Sequence, residues 1–350
     1  MTPRRIGTAL AILLAPLALV LGGGGSAQAQ NTQAQNTKPE HVKLGLLKTA
    51  GNGGLFVAQD RGYFTAQNLD VELVFFDGAL PIAVATVSGD IDLGSTALTA
   101  GLYNMAAQGA MRVIAAQSAD VPTFQNNTVV VSNQAWDNGL KSYKDLGGKK
   151  IGITAIGGSP QYTIVLLSEK YGFPLSGVHF LPLQSVTNIV SAIKGNQADA
   201  GVGPAAQMVP VVQSGDAKML GFVGDEATYQ LGGIFVSTKT ADNRGDMLKR
   251  FLIAYHHGAK DYHDAVTGPG EKRQDGPGTD EMLKILAKYI GQTPEQLKPG
   301  ISYVDAEVRL DQHDVQHQID WYKSQGEIKG DLKASVLIDK RYAAVLPGRE

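Results

Sequence analysis

The sequence predicts an α/β protein of two lobes, each a mostly parallel sheet flanked by helices. Three observations predict it. From His41 to Ser95, short apolar runs alternate with helical runs, the pattern of βαβ units, whose crossover connections make neighbouring strands parallel. The plan then recurs: "VSGDIDLGST" and "IKGNQADAGVG" both read as a helix end, a glycine, a polar turn, an aspartate and a small-residue strand, and two copies make paired lobes rather than a solenoid. The chain of 350 residues also exceeds the ~250–300 at which a single core stops growing.

The elements follow in order. "HVKLGLL" (His41–Leu47) is a short apolar strand running into "KTAGN", where glycine and asparagine permit a tight turn. A helix is expected from about Gly54 to Arg61, with Leu55, Ala58 and Gln59 at helical spacing. Gly62 stands at the left-handed position that closes a helix, with Tyr63 and Phe64 folding back as its apolar closure. "LDVELVFF" is the second strand, Leu80–Ser88 a helix stopped by Gly89, and Asp90–Ser95 opens a third strand. The second copy has a strand at Lys150–Thr154, the turn "AIGGSPQ" and a helix to Tyr171. Ser159 is placed to cap that helix and Pro160 to occupy its first turn. "VHFLPL" is a strand, Val186–Lys194 a helix, and "ADAGVG" and Ala217–Val223 further strands. "DEATYQLGGIFVST" reads as a return crossing. The rest is helical, apart from an exposed loop at Thr267–Gly278, and is expected to pack back on the first lobe.

Composition removes several functions. "MTPRR", the apolar "ALAILLAPLALVLG" and Ala27-Gln28-Ala29 read as a signal peptide over 1–29, cut after Ala29, with a disordered polar leader at 30–40. That apolar run is short of the ~20 residues of a membrane span, so a soluble, exported chain is expected. There is no cysteine, which excludes disulfides, a lipid-bearing cysteine, thiolate metal sites and a cysteine nucleophile. A formal net charge of −2 without a basic block gives no footprint for nucleic acid or an anionic membrane. "HDVQH" puts His313 and His317 at metal-like spacing, but with no third ligand it reads as a solvated helix face, as does "HHGAKDYH". "GGSPQ" is not a nucleophile elbow.

In parallel sheets, ligands bind beyond the carboxyl ends of the strands, where loops meet helix N-termini. Lys48–Gly53, Phe76–Gly78 and Ser95–Ala97 share that rim in the first lobe, which makes Lys48, Asn52, Gly53, Phe76, Asp77, Thr96 and Gln117 candidate ligand contacts. In the second lobe, Gly158, Ser159, Gln161 and Tyr162 surround a helix start, and Gly203 and Pro204 end a strand. Free N–H groups at such a start favour an anion, although an ordinary capped turn has the same composition. Lys48 suits an acidic ligand or plain solvent, Asp77 an amine or a turn, and Phe76 a cleft wall or the core. Tyr162, Phe76, Phe124 and Tyr229 are candidate aromatic walls.

The run "RGYF", "LDVELVFFDG", "SGDIDLGS", "YKDLGGKKIGI", "GGSPQ" and "GNQADAG", in that order, resembles the solute-binding proteins of ABC importers in the nitrate, sulfonate, taurine and thiamine-precursor branch. The resemblance covers about His41 to Val223, and the helical tail shares only its character. Asn68 stands where the family usually has glycine, and "AIGGSPQ" departs from the family's Gly-Ser-Gly-Thr form. The resemblance implies the periplasmic-binding-protein fold, with lobe I at 41–125, lobe II at 126–230 and a return to lobe I with C-terminal helices at 231–350. It further implies a monomer in the periplasm that needs no cofactor or metal. Such a protein captures a small organic anion (sulfonate, carboxylate or pyrimidine-type compound) by lobe closure and hands it to a permease with its ATPase in the inner membrane. A ligand-sensing domain for a membrane receptor is the alternative. A pyrimidine-synthase-like enzyme is disfavoured, because those enzymes carry a cysteine-rich motif.

Overall fold

The computed structural model describes residues 38–349; the expected signal peptide and most of the expected leader lie outside them. The chain begins with β1 (Glu40–Leu46), α1 (Gly53–Asp60), α2 (Tyr63–Ala66), β2 (Leu69–Phe75), α3 (Ala79–Ser88), β3 (Leu93–Ala97), α4 (Ala100–Ala107) and β4 (Met111–Asp120). It continues with β5 (Asn127–Ser132), α5 (Asn133–Asp137), β6 (Lys150–Ile153), α6 (Ser159–Tyr171), β7 (His179–Pro182), α7 (Val186–Lys194), β8 (Ala200–Pro204), α8 (Ala205–Gln213), β9 (Ala217–Phe222) and α9 (Val223–Glu226). The last part holds β10 (Tyr229–Ser237), α10 (Thr238–Asn243), α11 (Gly245–Val266), a hairpin of β11 (Thr267–Gly268) and β12 (Lys272–Arg273), α12 (Pro277–Ile290), α13 (Pro294–Leu297), α14 (Gln312–Ser324) and α15 (Ala334–Leu337).

Two five-stranded sheets share one plan. The first has the order β2-β1-β3-β10-β4 and the second β7-β6-β8-β5-β9. In each, the fourth strand alone runs antiparallel to its neighbours: β10 against β3 and β4, β5 against β8 and β9. "TYQLGGIFVS" is therefore more than a return crossing. It supplies a central strand of the first sheet from beyond the second. The two crossings, β4 to β5 and α9 to β10, leave from paired positions, since Asp120 is the partner of Tyr229.

Local chemistry explains the joints. Asn68 adopts φ +55° before β2, as a short polar side chain allows. Phe64 is buried and stacks on Phe251 at 5.0 Å, while the Tyr63 hydroxyl turns to Asp261, so the expected closure is shared between α2 and α11. α1 is pressed onto α11: a Cβ on Gly258 would stand 2.3 Å from the Gly54 carbonyl oxygen. This contact seats the turn before α1 firmly on the sheet. α1, α11 and α12 cover one face of the first sheet. α3, α4, α14 and α15 cover the other, in a core that runs on through Tyr162 and Tyr229 into the second sheet. The C-terminal helices thus pack on the first sheet, and α14 also reaches the second. The expected loop at Thr267–Gly278 contains the β11–β12 hairpin.

Glu40 opens β1 and is held by Arg244 (2.6 Å) and Arg250, with Arg244 also paired to Asp92. These groups are about one-third exposed or less, so solvent screens them. Glu40→Gln should lower the unfolding free energy by about 1 kcal/mol in urea titrations, and the loss should shrink in molar salt.

Candidate functional site

Asn52 is the hub of the first lobe's rim. The turn after β1 tightens over Ala50–Asn52, where a Cβ on Gly51 would meet Ser118 Oγ at 2.9 Å. Buried Asn52 donates from Nδ2 to the Leu47 carbonyl (2.8 Å), and its Oδ1 accepts from Ser95 Oγ (2.7 Å) and Gln117 Nε2 (2.8 Å). Ser118 Oγ donates to Gln117 Oε1 at 3.1 Å, so one hydrogen-bonded chain locks the ends of β1, β3 and β4. β10 leaves room for it with Gly232, whose Cβ would stand 2.0 Å from Gln117 Oε1. Thr96 follows Ser95 and so faces the opposite side of the sheet, towards α3. It is 1% exposed, and its Oγ1 has no hydrogen-bond partner.

The second lobe contributes the start of α6. Gly157 turns the chain with φ +74°, and Gly158 is the extended residue before the helix. The helix therefore begins at Ser159, and the expected Ser159 cap is corrected: no side chain caps this end. Instead Gln161 folds back, accepting the Gly157 N–H on Oε1 at 2.6 Å. The Gly157 carbonyl accepts the N–H of Ala100, first residue of α4, at 2.9 Å, which joins the loops of the two sheets directly.

α14 and the turn after it bridge the same junction. Tyr162 is fully buried, and its hydroxyl meets Asp314 Oδ1 (3.1 Å) and His317 Nδ1 (2.6 Å). Its ring lies 5.6 Å from that of Tyr229 in an edge-on arrangement. Tyr322 donates to the Gly158 carbonyl (3.1 Å), and Gln161 Nε2 donates to Glu327 Oε1 (3.0 Å). Glu327 Oε2 is buried with no hydrogen-bond partner.

Three carboxyl groups gather here. Burial pushes Asp120 up, against hydrogen bonds from Asn127, Asn126 and Tyr229. Burial likewise raises Asp314, against Gln318 and the Gln230 N–H, and raises Glu327, against Gln161. Burial and the adjacent aspartates push the Tyr162 and Tyr229 hydroxyls well above the ordinary tyrosine range. Among the described residues, none of the three acids is hydrogen-bonded to or ion-paired with lysine or arginine. The junction thus gathers hydroxyls, amide groups, aromatic rings and carboxyls.

The family model described as NMT1/THI5 like matches residues 50–266, more than half of the chain. The chain belongs to the NMT1/THI5-like family. Among solved structures, the ligand-binding component of an ABC-type import system from Staphylococcus aureus, with zinc bound, is similar at a TM-score of 0.69 and 14% identity, over 86% of this chain and 96% of that one. The alkanesulfonate-binding protein SsuA from Xanthomonas axonopodis pv. citri, bound to MOPS, reaches 0.67 at 17% identity, over 87% and 99%. The nitrate-binding protein NrtA from Synechocystis PCC 6803 reaches 0.65 at 14%, over 86% and 85%. These likenesses show the two-lobe periplasmic-binding-protein fold. A curated relative, the 4-amino-5-hydroxymethyl-2-methylpyrimidine phosphate synthase of Schizosaccharomyces pombe, is 27% identical over 152 residues, 43% of this chain. The match spans 40% of that relative's length.

Within this NMT1/THI5-like chain the expected residues divide. Asn52 and Gln117 meet on one rim, with Gly53 beside Asn52 at the start of α1, while Thr96 is buried on the other face of the sheet. Gly158, Gln161 and Tyr162 meet the first lobe through Glu327, Tyr322 and Asp314. Ser159 is half-buried in the first turn of α6. Gly203 and Pro204 end β8 opposite Thr128 and Asn127, beside the first crossing. Lys48 is exposed with its ammonium 5.1 Å above the Phe75 ring, and Asp77 is exposed. Phe76 packs at the core edge, 3.0 Å from where a Gly45 Cβ would be. Phe124 is buried edge-on to Tyr303. The two histidine stretches are only partly solvated faces: His317, half-exposed, also bonds the Tyr162 hydroxyl, and His263 is mostly buried and hydrogen-bonds the Val304 carbonyl at 2.8 Å. Among the described residues no three His, Cys, Asp or Glu side chains are grouped to hold a metal ion. Nor is any described helix long and apolar enough to cross a membrane.

Ser95, Asp120, Gln230, Asp314, Tyr322 and Glu327, which join these hydrogen-bond networks, were not among the expected residues. Asp314, Gln318 and Tyr322 recur every four residues, a polar stripe on one helix face that could have identified a buried network.

Proposed function

We propose that the protein is the exported solute-binding component of an ABC importer, closing its two lobes on a small organic molecule and presenting it to a permease. The observation that carries this reading is the meeting of the two sheets' loops, the Ala100 N–H on the Gly157 carbonyl, beside buried polar atoms that lack partners. Each such atom costs about 1–3 kcal/mol, which a guest recovers by supplying a partner. A micromolar guest needs about −8 kcal/mol, and a helix N-terminus supplies only about 0.3–2. Most of the rest comes from apolar area enclosed between the lobes, at about 25 cal/mol per Å². Of the three expected classes, three acids without a bonded cation favour the pyrimidine type, whose ring amines donate, over a sulfonate or carboxylate.

A thermal-shift panel of aminopyrimidines, alkanesulfonates and carboxylates tests this. Aminopyrimidines should raise the melting temperature, and a panel without any stabilisation overturns the reading. Thr96→Val should leave the free protein unchanged or up to about 1 kcal/mol more stable, because it removes an unpartnered hydroxyl, while diminishing the ligand's shift. The curated relative supports a second reading, an enzyme on this fold. Recovery of an altered compound after incubation selects it, and recovery of the unchanged compound selects binding.

A further inference from the structure

A cavity of about 300 Å³ lies on the β4 edge of the first sheet, lined by Gln230 and Asp311 but by none of Asn52, Gln117, Gln161, Tyr162 or Glu327. Both interlobe crossings form its wall, through Val121–Thr123 and Thr228–Gln230. Its floor is apolar, from Ala116, Ala119 and Leu346. Its volume sits at the small end of the ~300–1,000 Å³ usual for ligand pockets. The acids around it already have partners. Asp305 takes two hydrogen bonds from the Arg309 side chain (2.9 and 2.7 Å), Asp311 is paired with Arg349 (2.7 Å), and Glu271 accepts from Tyr303 (2.9 Å). Arg309 directs Nε and one Nη at Asp305, which leaves its other Nη as a donor, and exposed Lys272 brings an ammonium to the same rim.

We propose that this cavity is a second ligand site, distinct from the interlobe cleft, for a small acid with a flat apolar body. The apolar part rests on the Ala116–Ala119 floor, and the acid group faces Lys272 and Arg309. Its wall explains what occupancy would do. Thr123 is held at φ +72°, a conformation a β-branched residue rarely adopts, with its N–H donating to Asp225 (2.8 Å) and its Oγ accepting from the Arg273 N–H (2.9 Å). One crossing is thereby pinned both to the end of the second lobe and to the β11–β12 hairpin. A guest against Val121–Thr123 therefore biases the angle between the lobes. The site itself does not depend on the importer reading.

Benzoate serves as the probe, with benzamide as its uncharged match, in NMR titrations of the full chain. Saturable benzoate shifts at the Ala116 and Ala119 methyls and the Thr228 amide are expected, with benzamide binding more weakly. Ala119→Leu, which fills the floor, should weaken benzoate at least tenfold. Lys272→Ala, an exposed change that leaves the fold intact, should weaken it about twofold to fivefold. Gln161→Ala, in the interlobe site, should not change it. The absence of saturable shifts at these positions overturns the proposal, as does equal affinity for benzamide or insensitivity to both cavity variants. Shifts confined to Thr96 and Tyr162 would place benzoate in the cleft and also overturn it. Failure of the aminopyrimidine panel bears only on the interlobe reading.

Discussion

Asp314→Ala should lower the unfolding free energy by about 3–5 kcal/mol, whereas Asp314→Asn should lower it by about 1. The carboxyl accepts from the Gln230 N–H (2.8 Å), Gln318 Nε2 (2.8 Å) and the Tyr162 hydroxyl (3.1 Å). Alanine leaves these donors buried, two of them without this acceptor's replacement in reach. Asparagine keeps its oxygen on Gln230 and Gln318 and offers its NH2 to Tyr162, whose hydroxyl then donates to His317 Nδ1, 2.6 Å away. The two variants also differ from the wild type in pH dependence. Burial raises the folded Asp314 above its unfolded value near ~3.9, so the native state binds the proton more tightly. Its contribution is greatest below the unfolded pKa and declines as pH rises through the raised folded value. Exposed acids held low by partners, such as Asp216 beside Lys194 and Asp331 beside Lys323, have the opposite slope. Plotted against pH, the stability of the wild type minus that of Asp314→Asn should therefore fall from pH 4 upward and then level. Urea midpoints across that range measure it, and a flat difference would show that Asp314 is not shifted by its burial.

The sequence carried the sheets well, because strand length, glycine stops and βα turns are local. Asn68 at φ +55° and the helix starts near residues 53, 79 and 186 follow from side chains within a few positions. The turn after β1 that holds Asn52, and the strands that hold Thr96 and Gln117, were legible for the same reason. What the sequence concealed is non-local. β10 enters the first sheet 109 positions after the end of β4, measured from Asp120 to Tyr229, and nothing within its own nine residues says so. Likewise "HDVQHQIDWY" has the composition of a solvated helix. Only its placement against Tyr162 turns Asp314, Gln318 and Tyr322 into a buried network. The start of α6 shows a smaller version: the cap chemistry of Ser159 was available, but Ser159 is itself the first helical residue, behind an extended Gly158, and Gln161 accepts the Gly157 N–H.

Gly224→Ala should cost about 3 kcal/mol and hold the lobes apart. Gly224 lies in α9, where the chain prepares to return, and it faces the outgoing crossing at van der Waals distance. A Cβ there would stand 2.2 Å from the Val121 carbonyl oxygen, 2.9 Å from the Val121 carbonyl carbon and 3.0 Å from the Phe124 carbonyl oxygen. All three are backbone atoms, so no rotamer change relieves the clash, and the crossings must separate. They cannot separate freely, because Thr123 donates to Asp225 beside Gly224, and Asp120 is tied to Asn126, Asn127 and Tyr229 across the two strands. The displacement is therefore passed to the lobes, whose loops meet directly through the hydrogen bond from Ala100 to Gly157. Small-angle scattering should show a larger radius of gyration for Gly224→Ala, and a fluorescent pair across the lobes a longer separation. Gly276→Ala is the control: its Cβ meets nothing within 4 Å, and it should change stability by less than about 1 kcal/mol and the lobe separation not at all. Equal separations in the two variants would show that the crossings do not set the lobe angle.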